Sequence, residues 1–333
     1  MTNNDLSTKG KSKNKVAPLA GIAVLVLFPL LMNGINFSYA ILLACYIELY
    51  FIAVSGLDLL FGYCGQINMG LAGFFAIGAY GSGMLHNFLG IPVLFSMIIA
   101  AIIAAFVGAL LAYPCSKLQF HFLTLATIAF GEIVNQLLSH SPGGVTGNFN
   151  GLFSDKVSIF GYELKSYTSF YIFGLICVAV FSLIKHNIVK SKIGRSLEAI
   201  RDNSHAANGM GIDVRKYKIL AFGASALFTG FAGGMYMHLV GFVSPDTFTQ
   251  KQSVMFLTML LFGGVNSFGG SVLGVVLLTL LTEIMRNFTG YQTMIYGALI
   301  LIVVLVIPGG VYRAILDFFR FAKTKLNKSK GVG

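Results

Sequence analysis

Five ionisable side chains sit inside stretches that are otherwise apolar: Glu48, Asp58, Glu132, Glu283 and Arg286. A charge in hydrocarbon is costly, so each is a functional suspect by position. Glu283 and Arg286 are spaced i,i+3 and can pair on one helix face near its end. Asp58 lies near a helix end, within reach of lipid headgroups. Glu48 and Glu132 are deeper, and Glu132 has Gly131 and Asn135 beside it. It reads either as a group on a transport path or as a structural contact. No ladder of acids and histidines accompanies these residues, which counts against a proton relay. The chain has no G-x-x-x-x-G-K-[ST] loop to cradle a nucleotide, no H-E-x-x-H, no G-x-S-x-G and no Cys/His set at ligand spacing. Cys45, Cys64, Cys115 and Cys177 are scattered and read as small hydrophobic packers. The residues therefore point to no catalytic centre, no metal and no cofactor on this chain, and not to an enzyme.

Three polar, glycine-rich clusters offer a different chemistry, that of a solute path. In Gly62–Gly70, glycines flank Gln66 and Asn68, so the backbone can turn and present amides; a simple turn between helices explains it equally well. In Gly143–Gly151, four glycines accompany Thr146, Asn148 and Asn150, which suits contact with a solute or partner or, on composition alone, a flexible loop. Phe262–Gly270 interrupts an apolar region, and broken helices of this kind line transport paths. Helix packing by small residues is the plainer reading of many of the glycines.

The elements around these clusters are those of a polytopic membrane protein, all-α. Hydrophobic residues make up 56% of the 333 and charged residues 11%, about half the charged fraction of a soluble domain. A helix of about 20 apolar residues crosses the hydrocarbon core and satisfies its own backbone. Ten segments fit: 16–33, 38–60, 67–86, 91–115, 120–139, 167–186, 218–241, 253–266, 271–287 and 291–308. The eighth and ninth are short, so one is re-entrant or broken.

Charge sets the orientation. Residues 1–15 carry +3, 185–218 carry +5 and 313–330 carry +5, while the remainder carries −2. Positive loops face the cytoplasm, and six crossings before the central loop with four after it put all three blocks there. Both termini are then cytoplasmic, and residues 140–166 are external. Hydrophobic spans flank every basic block, so membrane lipid and a peripheral subunit fit as partners better than nucleic acid. The first apolar run, of about 17 residues, exceeds the usual 7–15 of a signal-peptide core and reads as an uncleaved helix.

The central loop, Gly194–Lys218, is patterned as well as basic. Ser196–Arg201 reads as a helical turn or two, Ser204 as the N-cap of a second short helix, and Gly209 and Gly211 as stop signals. A short helical pair rich in Ala and Gly suits docking, although a solvated connector would carry the same charge.

Together these clusters resemble the permease of branched-chain amino acid ABC importers, of the LivM type. The resemblance runs from about Gly56 to Arg313. It is carried by GLDLLFGYCGQINMGLAGFFAIGAYG at 56–81, GRSLEAIRDNSHAANGMGIDVRKYKILAF at 194–222, FAGGMYMHLVGFVSP at 231–245, LLFGGVNSFGGSVLG at 260–274 and YGALILIVVLVIPGGVYR at 296–313. Two places depart from the family's pattern: Asn68-Met69-Gly70-Leu71 stands for the usual Ser-Leu-Gly-His, and the external GGVTGNFNG lacks the usual Gly-Leu-x-Gly-Ile-Pro.

The resemblance implies a permease domain over 16–312 between the basic segments 1–15 and 313–333, with a coupling loop at 188–218. It also implies a second, H-type permease, two ATPase subunits that hold ATP and Mg, and an extracytoplasmic solute-binding protein. ATPase coupling falls to Gly194, Arg195, Glu198, Ala199, Arg201, Asp202, Ala206, Ala207, Gly209 and Gly211. The candidate path comprises Gly65, Gln66, Asn68, Gly70, Glu132, Gly263, Gly264, Asn266, Gly269 and Gly270. Ribose-type sugars, urea and short amides travel through the same superfamily and stand as alternative solutes. An ion-coupled carrier with no ATPase is the alternative of a different class.

Overall fold

The apolar segments form helices, and the computed structural model describes them over residues 38–116, 120–154, 158–159, 162–163, 166–306 and 310–312. The expected span 16–33 and the segments 1–15 and 313–333 lie outside the described residues. We number the helices α1 (Ser38–Asp58, continued by a wider turn, Leu59–Tyr63), α2 (Leu71–Leu89), α3 (Val93–Cys115), α4 (Phe120–Ser139), α5 (Tyr167–Lys190), α6 (Lys192–Asp202), α7 (Ser204–Gly209), α8 (Val214–Val240), α9 (Gln250–Gly263), α10 (Phe268–Ile284) and α11 (Gln292–Val306). Among the described residues, five stretches are long and apolar enough to cross a membrane: Tyr39–Tyr63, Val93–Cys115, Phe122–Ser139, Tyr167–Lys190 and Val214–Val240. Two expectations shift. The third span starts at Leu71, because Gly65–Gly70 is not helical. The eighth, ninth and tenth are helices of 14, 17 and 15 residues, each under the length of about 20 for a perpendicular crossing.

Packing follows residue size. Along α3, Ala100, Ala104, Gly108 and Ala112 recur every fourth residue and are buried, while Ile98, Ile102, Phe106 and Leu110 face outward. A stripe of small residues lets two helices approach closely, and α3 lays this one on α8. The central helix, α8, also packs on α1 and α2. At the α2–α8 crossing, a Cβ on Gly78 would overlap the backbone carbonyl of Gly230.

The two ends of the bundle differ. At one, Leu197, Ile200 and Ala207 of α6 and α7 pack with Leu60, Cys64, Cys115, Leu123 and Phe222, from the ends of α1, α3, α4 and α8. At the other, the chain leaving α4 pairs Leu152–Phe153 antiparallel with Phe242–Val243, just after α8. Here Asn135 donates to the Pro245 carbonyl at 2.8 Å and Asn87 to the Phe153 carbonyl at 2.6 Å. Residues 140–154 and the helical pair 192–209 thus lie at opposite ends of the bundle.

Candidate coupling junction and translocation site

α5 runs almost directly into α6. Ser191 caps the new helix, its hydroxyl accepting from Ile193 N at 3.1 Å. The bend is tight enough that a Cβ on Gly194 would overlap the Val189 carbonyl. The second helix is capped one residue earlier than expected: Asn203, not Ser204, accepts from His205 N and Ala206 N, both at 3.0 Å. Asn in an extended conformation is as good an N-cap as Ser, and Ser204 instead returns its hydroxyl to the Ile200 carbonyl. Gly211 (φ +83°) closes the pair in the left-handed region, where its N–H reaches Asn208 O at 3.0 Å and Ile212 N reaches Ala207 O at 3.1 Å. This is the hydrogen bonding of a glycine-terminated helix end.

The ten residues assigned to coupling divide by face. Arg195, Glu198, Asp202, Ala206, Gly209 and Gly211 are exposed, beside Met210 at 84% exposure. Gly194 and Ala207 are buried and Ala199 is partly buried against the bundle. Their small size lets α6 and α7 lie close to the spans. Arg201 is exposed overall, but its guanidinium donates to the Gly62 carbonyl, and its stem passes over Gly65, which has φ +72° and leaves room for it.

Gly62 marks the junction. Asp58 does not reach for headgroups; it is fully buried and ion-paired to Lys185 of α5 at 2.8 Å. Its other oxygen accepts from Asn266 N at 2.9 Å. Gly62 fits under this cluster because a Cβ would collide with Asp58 Oδ1 and Asn266 Oδ1. Asn266 itself is held at φ +58°, a region Asn tolerates better than most side chains. The first and third glycine clusters therefore meet, tied by a buried carboxylate and its cation. Lys185 was hidden in the sequence because it counts as one more basic residue of the central loop.

The other path candidates are placed as follows. Gln66 is buried, with its carbonyl oxygen 3.7 Å from the Cys64 thiol. Burial raises that thiol to about 12, so Cys64 is a neutral packing group. Asn68 is buried and accepts from Gly70 N at 2.9 Å, while Met69 N donates to the Thr127 hydroxyl at 3.1 Å. The segment is thus a fixed turn that seats the start of α2 against α4. Gly263 and Gly270 meet backbone to backbone at the α9–α10 turn, Gly269 faces Tyr312, and Gly264 lies against Gly310. These glycines pack the helices against one another. Glu132 is exposed on the outer side of α4, hydrogen-bonded to Gln136 at 3.2 Å in a shallow groove that ends at His140. It is not turned into the bundle, and the described residues bring it to no other path candidate. Glu48 is turned inward instead. Both its carboxyl oxygens are buried without a hydrogen-bond partner, beside Gly174 of α5. Glu283 and Arg286 pair at 3.3 Å, as their spacing suggests.

The loop Gly143–Gly151 is more ordered than its composition suggests. Asn148 (φ +52°) accepts from Ser141 N at 2.9 Å and from its hydroxyl at 3.0 Å, and Thr146 donates to the Leu138 carbonyl at 2.7 Å. His140 sits edge-on to Phe149 at 5.1 Å. Local hydrogen bonds stand in for secondary structure there.

Comparison with known proteins gives the family. The family model described as "Branched-chain amino acid transport system / permease component" matches residues 39–308. LivM, the high-affinity branched-chain amino acid transport system permease protein of Escherichia coli (strain K12), is 30% identical over 323 residues, covering 90% of this chain and 75% of LivM. Two proteins of Methanocaldococcus jannaschii, named probable branched-chain amino acid transport permease proteins LivM and LivH, are each 24% identical; they cover 79% and 78% of this chain, and 90% and 86% of their own lengths. No solved structure matches. The chain is a multi-pass membrane protein and belongs to the family of permease components of branched-chain amino acid transport systems.

Proposed function

We propose that this chain is the LivM-type permease subunit of an ATP-driven importer of branched-chain amino acids. A second, H-type permease completes the path, two ATPase subunits with ATP and Mg dock beneath it, and an extracytoplasmic binding protein delivers the solute. Both termini and the α6–α7 pair face the cytoplasm of a bacterial inner membrane. The observation that carries the reading is the α6–α7 pair itself: one face is packed on the ends of four spans, while the other is exposed and unpartnered. A solvated connector needs no such seat.

The mechanism follows from the two rigid links that leave the pair. One is α5, continuous with α6 through the Ser191 bend and carrying Lys185 to Asp58. The other is Arg201, anchored on the Gly62 carbonyl. Both end at the Asp58–Gly62–Asn266 junction. An ATPase that shifts α6 on closing would therefore move α5 and the α9–α10 turn together. Packed interfaces switch between discrete arrangements and do not deform continuously.

Ala206→Asp tests the docking. Ala206 is exposed and is the third residue of α7, where an acidic side chain favours the helix, so the variant keeps the pair folded. Buried against an ATPase, the unpaired carboxylate costs several kcal/mol, about 3–5. We expect normal membrane insertion, loss of ATPase co-purification and loss of uptake. Retained ATPase binding with wild-type uptake would reduce the pair to a connector.

A further inference from the structure

A cavity of about 300 Å³ opens between α1, α8 and α10 at the end opposite α6 and α7. Its walls are aromatic: Tyr46 stands 6.0 Å from Tyr50 and 6.1 Å from Tyr236, centroid to centroid. Its rim carries the two opposite charges of Glu283 and Arg286, with Arg286 also donating to the Tyr39 hydroxyl at 3.2 Å. Inside, the Thr279 hydroxyl is buried without a hydrogen-bond partner, and the residue is 5% exposed. Thr279 and Glu283 are one turn apart on α10, and Arg286 follows two residues after that helix ends, within reach of Glu283. A buried hydroxyl with no partner is costly unless a ligand or water satisfies it.

These groups match a free α-amino acid. An exposed i,i+3 ion pair is weak and readily exchanges its partners for a molecule carrying both charges. We propose that this cavity is the outward subsite at which the permease receives its solute. The carboxylate sits on the Arg286 guanidinium, the geometry that Arg recognises best, and accepts from the Thr279 hydroxyl. The ammonium sits on Glu283, against the tyrosine faces that attract cations. The aliphatic side chain lies on the rings and on Leu42 and Leu43. A volume of about 300 Å³ is at the small end of ligand pockets, which suits an amino acid. The inference rests on the importer reading and specifies its solute-facing residues. A zwitterionic lipid headgroup, phosphatidylethanolamine, shares part of this chemistry, and the test separates the two.

Tritiated leucine is titrated into the assembled permease–ATPase complex, without binding protein, in nanodiscs of phosphatidylcholine and phosphatidylglycerol. Saturable binding is expected, competed by unlabelled leucine and not by N-acetyl-leucine or isoamylamine, each of which lacks one charge. Arg286→Gln should weaken binding about tenfold or more, the worth of a charge-assisted hydrogen bond. Thr279→Val should weaken it severalfold while Thr279→Ser, which keeps the hydroxyl, restores it; retained ATPase subunits certify the fold of each variant. No saturable leucine binding, binding indifferent to Arg286→Gln and Thr279→Val, or competition by N-acetyl-leucine would each overturn the subsite. In a second set of nanodiscs that contain phosphatidylethanolamine, retention of that lipid by the wild type and its loss in Arg286→Gln, with no leucine binding, would also overturn it. Failure of the importer reading shows separately, as a wild-type chain with which no ATPase co-purifies.

Discussion

Replacing Lys185 by Met is expected to destabilise the chain more than any surface substitution, by about 3–5 kcal/mol, because it leaves the Asp58 carboxylate buried without its cation. Asp58 is fully buried, and its other hydrogen bond among the described residues is from the Asn266 N–H at 2.9 Å. One neutral donor does not replace an ammonium at 2.8 Å. Pairing Lys185→Met with Asp58→Asn removes the uncompensated charge, so the double variant should recover most of the thermal stability lost by the single one. Uptake should not recover, because the link from α5 to the α9–α10 turn is gone. Unfolding midpoints in detergent and uptake in cells give the two readings. A single variant as stable as wild type would show that the ion pair contributes nothing.

Gly78→Val is expected to have a comparable effect by a different route. At this crossing a Cβ would overlap the Gly230 carbonyl, and on a central helix backbone neither partner can swing aside. Separating α2 from α8 would strip contacts from the central helix of the bundle. Overpacking a tight core costs about 1–3 kcal/mol, and a clash with backbone lies at the upper end or beyond. Gly223→Ala is the matched control, since a Cβ there meets its nearest neighbour at 3.4 Å, an ordinary contact. We expect poor yield and aggregation for Gly78→Val, with near-normal behaviour for Gly223→Ala.

Much of the bundle was legible in the sequence. Apolar runs gave Val93–Cys115 and Tyr167–Lys190 nearly to their ends, since hydrocarbon length dictates helix length. The i,i+3 pairing of Glu283 with Arg286 was legible for the same local reason. What lay hidden was direction around each helix. Glu132 was a path candidate by depth, yet it is exposed on α4, and depth along a helix does not say which way a side chain points around it. Ala199 and Ala207 read as a docking face, but Ala207 is buried with Leu197 and Ile200 against the ends of the spans, and Ala199 is partly buried beside them. The Asp58–Lys185 pair joins residues far apart in sequence, one in an apolar span and one in a basic loop, and no local pattern links them. Ser204 was read as the cap that Asn203 supplies, because helix ends are uncertain by a residue or two.

The most direct measurement is leucine uptake into proteoliposomes that hold this chain with its partner permease, ATPases and binding protein. The proposed function requires uptake that needs hydrolysable ATP on the face carrying α6 and α7, stops when the analogue cannot be hydrolysed, and persists when ionophores collapse the proton and sodium gradients. Uptake by this chain without ATPases, driven by an ion gradient and indifferent to ATP, would contradict it.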